Sequence, residues 1–466
     1  MRAVKGPHTR AREVPPAGLL AAVVLYLVIT FLRPQDVVPG LGALKPGMLA
    51  SGAILLFWLR SRSFTYLRDS VVKWQLALFG VVLAGLAVVV NHRGWFNMTL
   101  GYAMYVVSLT FGFVAVARFQ SSREVILKVL LVAFLFQTVW ALTHEGRGTG
   151  AFFGDENDAA AAMIVGGSLA YAMWTHWPKG VWRWTALMVV VLSLVGIVVT
   201  ESRGGFVGLV ASISAVLFFS RRFLKTALLL AILVVAAYPF IPEKYKSDIT
   251  SISNPEDDTR VERVYSWNRA IDLWRMHPVI GVGAGNFPWR VAETEDTAKA
   301  FEERKGRRMI GGRASHSLYF TLLPEHGSLG VLCYFALVLI VFRRALAVVR
   351  MRDEDTRDHT LRTIGLFLVV GLIGYSVAAV FISVLWYPHF WLMAALAVLL
   401  SPSASHDSQG IISWGPQLHR SASAAARHHP SRPAHRQTPP PPDGVQHMQT
   451  PAAPHYTVCA SELSCV

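Results

Sequence analysis

A few side chains in this sequence are of types that could move a proton or hold an anion. His316 lies in ASHSLYFTLLPEHGSLG, residues 314–330, where a polar segment of about 75 residues gives way to a strongly apolar one. An imidazole titrating near neutrality can accept a proton from a hydroxyl nucleophile. Arg203 sits in Thr200-Glu201-Ser202-Arg203-Gly204-Gly205, between two apolar runs. Its planar guanidinium matches phosphate or carboxylate, and the glycines would let a bulky polar group approach the backbone. A snorkelling arginine in a tight turn, paired with Glu201, fits the same residues. Arg260, Arg263, Arg269 and Arg275 surround a helical pattern in ERVYSWNRAIDLWRM, residues 262–276. Positions 260, 263 and 267 fall close to one face, which could present cations to an anion. A solvated basic face balanced by Asp257, Asp258 and Glu262 is the competing reading.

Weaker candidates flank these. Asn157, in Asp155-Glu156-Asn157-Asp158, and Tyr319, just after His316, are candidate substrate contacts. The acidic run equally suits a helix N-terminus. The first outer turn, Arg33-Pro34-Gln35-Asp36, is similarly placed. Glu325 and His326 follow His316 by nine and ten residues, a spacing that matches no metal-ligand pattern, so no metal site is expected. His326, deeper in the apolar run, reads as structural. Gly-Val-Gly-Ala-Gly at 281–285 follows no strand and lacks the dinucleotide spacing, so it reads as a turn. No cofactor is expected.

The elements that must position these groups are membrane helices. The chain has 466 residues, 53% hydrophobic and 16% charged, well below the ~25% charge of a soluble domain. Twelve apolar segments approach spanning length: 17–32, 43–59, 74–90, 99–117, 125–143, 158–175, 184–200, 204–220, 223–241, 317–342, 361–384 and 388–400. The expected fold is therefore an all-α polytopic membrane protein of about 12 spans, since only helices satisfy their own backbone here. With the N-terminus inside, the inner segments hold 22 Lys and Arg and the short outer loops 5, so both termini are expected in the cytoplasm. The first run follows a basic start and lacks a small-residue cleavage site, so it reads as a retained anchor. The net charge of +15 is spread over many short loops, with no patch or stripe for nucleic acid. Cys333, Cys459 and Cys465 give no disulfide framework. The expected organisation is a cytoplasmic 1–16, spans 1–9 over 17–241, a large partly helical outer loop at 242–316, spans 10–12 over 317–400, and a disordered cytoplasmic tail at 401–466 rich in Ser, Ala, His, Arg and Pro.

Four pieces in order resemble the O-antigen ligase and polymerase superfamily of membrane glycosyltransferases. They are GTGAFFGDENDAAA, ESRGG, RVYSWNRAIDLWRMHPVIGVGAGNF and SHSLYFTLLPEHGSLG. The N-terminal FLRPQDVVPGL and the form SHSLYF…EHGSLG are most similar to O-glycosylation ligases associated with exosortase systems. The resemblance spans roughly residues 15–400. It implies metal-independent, inverting transfer of a glycan from an undecaprenyl-pyrophosphate carrier to a lipid, polysaccharide or protein acceptor. The reaction would take place on the periplasmic side of a bacterial inner membrane. Carried over by motif, Arg203 and Arg263 would bind the pyrophosphate and His316 would be the catalytic residue. Ser317 stands where many relatives have Asn, and GDEND replaces the more usual Asn-Pro-Asn form. A polymerase of the same superfamily is one alternative. A flippase or other transporter of lipid-linked glycan is another; the lack of an evident repeat and the rim placement of the charges speak against it.

Overall fold

The computed structural model describes residues 15–61, 64–150, 153–219, 224, 228, 243, 257–296, 312–351, 358–406 and 411–414. The described chain is an all-α polytopic membrane protein. Its main helices are α1 (Ala17–Leu27), α2 (Pro46–Ser61), α3 (Ser70–Ala84), α4 (His92–Tyr105), α5 (Gln120–Thr143), α6 (Glu156–His176), α7 (Val181–Val199) and α8 (Arg203–Phe219). After these come α9 (Asp258–Met276), α10 (Leu318–Arg350), α11 (His359–Ala378) and α12 (Pro388–Val398). Wider π-helical turns extend α1 through Val28–Leu32 and α4 through Val106–Phe113. Among the described residues, seven helical segments are long and apolar enough to cross a membrane: Leu41–Ser61, Ser70–Ala87, His92–Ala117, Gln120–Thr143, Val181–Val199, Leu318–Arg350 and His359–Ala378. Eleven of the twelve apolar segments read from the sequence fall on described helices. The ninth, 223–241, lies outside the described residues apart from Leu224 and Leu228.

Burial orders the bundle. In α11, 72% of the spanning window is buried against protein, whereas in α2 the figure is 22%, so α11 is central and α2 faces lipid. Every residue of α12 is buried. Helix α11 packs on α6, α8 and α10. Small residues allow the closest of these approaches: a Cβ on Gly374 would stand 1.8 Å from Ser212 Oγ, and one on Gly208 2.8 Å from the Ala378 Cβ. Two buried arginines of the bundle have carboxylate partners. The Arg344 guanidinium grips Asp69 through two 2.9 Å contacts and donates to the Ala397 carbonyl, tying α10 to α3 and α12. Arg123 likewise joins Asp358 and Thr360, coupling α5 to α11. Past α12, a short hairpin pairs β1 (Ala404–His406) with β2 (Ile412–Trp414) in antiparallel register. This ordered pair occupies the start of the segment expected to be a disordered tail. Ile411 and Ile412 are buried and the Ile412 N–H bonds the Arg118 carbonyl, which docks the hairpin.

The feature that fixes the polar segment is a break in α10. Pro324 has no N–H to continue the ladder, and Gly327 leaves helical geometry at φ 60° and ψ −166°. The carbonyls of Pro324 and Glu325 accept the Val282 and Gly283 N–H groups at 2.8 and 2.9 Å. In return Ser328 and Leu329 donate to the Pro278 and Val279 carbonyls. The approach is too close for side chains: a Cβ on Gly281, at φ +69°, would lie 2.3 Å from the Pro324 oxygen. The Gly-rich run is thus a backbone clamp. The Glu325 carboxyl group adds two more bonds, accepting the Gly285 and Phe287 N–H groups at 2.9 and 3.2 Å. Asn286 extends the anchor to the α3–α4 turn, its Oδ1 accepting from Val90 and Asn91.

Candidate functional site

This clamp delivers α9 to one rim of the bundle, where it meets the N-termini of α6, α8 and α10. Helix α9 starts at Asp257, whose side chain caps it by accepting the Arg260 N–H at 3.0 Å. The same carboxylate holds Arg203, in the first turn of α8, at 3.0 Å. Burial pushes the Asp257 pKa upward, but the hydrogen bonds from Arg203 and the Arg260 backbone prevail and hold it below the ordinary carboxylate value. One turn along α9, the Arg263 guanidinium lies over the Phe381 ring at 5.8 Å. Burial and then the neighbouring Arg203 charge lower the Arg263 pKa, while Asp257 and Asp155 oppose them. Two guanidinium groups within each other's field form a place where an entering anion relieves repulsion.

The Arg203 turn has its own scaffold. The Ser202 hydroxyl accepts the Gly205 N–H at 2.9 Å and donates to Asn157 Oδ1 at 2.8 Å. Asn157 in turn donates its side-chain and backbone N–H groups to Asp155, the cap of α6. Both ends of the Asn157 amide are therefore used to bind the GDEND and ESRGG motifs to each other, and its place is that of a strut. A Cβ on Gly205 would stand 2.5 Å from the Ala160 Cβ, so glycine sets the distance between α8 and α6.

His316 is presented by a strained, knotted turn. Its φ of 51° lies in the left-handed region, unusual without glycine. Flanking hydroxyls hold it there: Ser315 Oγ bonds the Ser317 carbonyl at 2.9 Å and the Thr321 hydroxyl at 2.7 Å. The Trp267 indole N–H bonds the Ser315 carbonyl at 3.1 Å and its ring stacks on Phe320, so α9 itself braces the turn. His316 stays accessible to solvent, but the surrounding protein still disfavours its charged form. Desolvation, then Arg263, lowers its pKa below the ordinary 6.5, with Asp155 acting in the opposite sense. The resting imidazole at neutral pH is therefore neutral, the state a general base needs.

Two cavities share this rim. The first, of about 370 Å³, is lined by Arg203, Gly204, Arg260, Arg263, Trp267 and Phe381. The second, of about 760 Å³, is lined by His316, Arg263, Asp155, Asp158, Ser266 and Tyr387 among others. Thr259, Arg263 and Phe381 line both. Arg203, Arg263 and Arg260 are thus brought together on one cavity, and His316, Arg263 and Asn157 on the other. Tyr319 is not among them: its hydroxyl bonds the Ser376 carbonyl at 2.8 Å and its ring stacks on Phe335, inside the bundle. Arg269 and Arg275 turn away to Asp272. His326 is 1% exposed and lies edge-on to Trp386, as a packing residue would. Among the described residues no three His, Cys, Asp or Glu side chains gather as a cation site. Sequence reasoning put position 267 on the Arg263 face without giving Trp267 a role, and it left out Phe381 and Tyr387. Trp267 was findable, one turn from Arg263 on the same face; Phe381 and Tyr387 lie in a connection with no motif.

The class defined by these features is a polytopic membrane protein with a cationic, histidine-bearing cleft at one rim. Residues 188–335 match the family model described as O-Antigen ligase. The matched segment runs from α7 through the break in α10, so it carries Arg203, Arg263 and His316, and it supports the O-antigen ligase superfamily. No curated protein matches the chain.

Proposed function

We propose that this protein transfers a glycan from an undecaprenyl-pyrophosphate carrier to an acceptor hydroxyl on the periplasmic side of a bacterial inner membrane. The observation that carries the reading is Arg263: it lines one cavity with Arg203 and the adjoining one with His316. Arg203 and Arg263 grip the pyrophosphate across the position now spanned by Asp257 and stabilise the charge that develops as it leaves. The apolar wall of the first cavity, Val207, Val264 and Phe381, leads the polyprenyl chain away toward the bundle. His316 takes the proton of the acceptor hydroxyl, whose oxygen attacks the anomeric carbon from the face opposite the pyrophosphate. The carbon–oxygen bond to the carrier breaks with inversion, and the two arginines supply the countercharge without a metal. The general base is worth ~10²–10⁴ in rate. Similarity of FLRPQDVVPGL to exosortase-associated ligases favours that branch of the superfamily.

The test is transfer from a lipid-linked glycan by the purified protein. His316→Ala should lose most of the turnover with donor affinity retained, and Arg203→Ala should lose donor affinity. Near-normal transfer by either variant removes that residue from its role. Movement of lipid-linked glycan across vesicles with no new glycosidic bond would replace the enzyme reading with a transporter.

A further inference from the structure

The second cavity carries a polarity that the pyrophosphate does not use. On one edge stand Arg263, Arg313 and the neutral His316, with Asp258 and Glu262 beside them and Arg313 standing 3.8 Å from Glu262. The opposite wall is formed by the start of α6 and the α11–α12 connection, and it is acidic and hydroxyl-bearing: Asp155, Asp158 and Tyr387. The Tyr387 hydroxyl donates to Asp158 Oδ2 at 2.7 Å, which fixes both groups across two separate elements. Beside them Ser266 lines the cavity, 94% buried, yet its Oγ has no hydrogen-bond partner. The Ser383 Oγ on the facing connection is in the same state. Buried hydroxyls without partners are costly unless a ligand completes them.

From this arrangement we infer that the second cavity is the subsite for the accepting sugar, and that it selects a ring that is hydroxyl-rich and uncharged around the reacting position. Sugar hydroxyls donate to the carboxylates of Asp155 and Asp158 and exchange hydrogen bonds with Ser266 and Ser383. A phosphate on the accepting ring would face the carboxylates of Asp155, Asp258 and Glu262 in the same lining and be repelled. The acceptor is placed here, and the donor pyrophosphate in the first cavity, because His316 lines only the second and Arg203 only the first. The volume suits a ligand cleft, typically ~300–1,000 Å³. The inference rests on the glycosyl-transfer reading above, and its test keeps the two apart.

The experiment measures binding to the full-length protein in lipid nanodiscs by titration calorimetry, with saturation-transfer NMR for weak ligands. The probes are inorganic pyrophosphate, a panel of neutral methyl pyranosides, their 6-phosphates, and glycosyl 1-phosphates. A neutral glycoside should bind alongside saturating pyrophosphate. Its 6-phosphate should bind about 10-fold more weakly, and Asp155→Asn should narrow that gap. Asp158→Asn and Ser266→Ala should each weaken the neutral glycoside by about 5- to 10-fold, from the loss of one hydrogen-bond acceptor or donor. Both variants should leave pyrophosphate affinity within about two-fold, which also shows that they fold. If pyrophosphate binds but no neutral glycoside does, or if the variants weaken glycosyl 1-phosphates alone, the inference is overturned while the donor site stands. If pyrophosphate itself fails to bind in an Arg203-dependent way, the glycosyl-transfer reading fails instead.

Discussion

Replacing Glu325 with Gln tests whether the candidate site is assembled by the clamp between the polar segment and the break in α10. The Glu325 carboxyl group accepts two backbone N–H groups, Gly285 at 2.9 Å and Phe287 at 3.2 Å, and is 2% exposed. A glutamine keeps one acceptor oxygen and turns an NH2 donor toward the other amide. One buried N–H then loses its partner, at about 1–3 kcal/mol, which is a factor of roughly 5–150 in the opening equilibrium of the clamp. Glu325→Ala orphans both amides, about 2–6 kcal/mol, before any cavity cost. Hydrogen exchange of the 281–287 amides in detergent-solubilised protein reads this equilibrium directly, because local opening sets their exchange rate. The expected order of protection is wild type, then Gln, then Ala. Activity should fall in the same order, since α9 and its Arg263 depend on the docked clamp. Exchange that is unchanged in the Gln variant while transfer is lost would refute the anchoring argument and make Glu325 a chemical participant.

Further outcomes follow from the same geometry. The pH profile of kcat/KM should have its acid limb below pH 6.5, because burial and Arg263 lower the His316 pKa and the base must be neutral. Asp155 raises that pKa, so Asp155→Asn, which keeps a competent helix cap, should move the limb to still lower pH. A shift to higher pH would show that the limb belongs to another group. Gly205→Ala places a Cβ 2.5 Å from the Ala160 Cβ and should displace α8 from α6, costing about 1–3 kcal/mol of stability as overpacking does. Its signature is weakened donor binding together with a lowered unfolding temperature, and Ala160→Gly in the same protein should restore both.

Most of this fold was written in the hydrophobic pattern, because long apolar runs leave the backbone no alternative to helices. The helix from Asp258 to Met276 was legible from its spacing and from His277-Pro278, which ends it. Arg203, Arg263 and His316 were legible as types in a chain order, but the order does not say that Arg263 faces two cavities. That depends on the clamp, which pairs residues about 45 apart through backbone groups and a glycine contact, neither of which leaves a side-chain pattern. Tyr319 was read as a possible contact, and its side chain lies elsewhere for a related reason. Three residues past His316 on α10, its side chain projects into the bundle and bonds Ser376, where adjacency in sequence had suggested a place in the site. Asn157 was read as a contact; it lines the second cavity, and its amide also has a scaffolding task between two turns.

The Arg203–Asp257 pair sets a last constraint on donor binding. Asp257 caps α9, yet its carboxylate also occupies the arginine to which we assign the donor pyrophosphate. The two side chains are 27% and 15% exposed, so solvent screens the pair and its net worth is about 0–1 kcal/mol. A pyrophosphate, with more charge and more acceptor oxygens, can displace such a partner, and the resting pair keeps Arg203 aimed at the cavity until it does. Asp257→Asn preserves capping of the Arg260 N–H and removes the competing charge. Pyrophosphate affinity should therefore rise, by up to about 5-fold if the full screened pair is released. Turnover should not rise with it, since tighter ground-state binding of the donor leaves the barrier from the bound complex unchanged or higher. Weaker pyrophosphate binding in Asp257→Asn would mean that the carboxylate positions Arg203 rather than competing for it, and the displacement step would have to be abandoned.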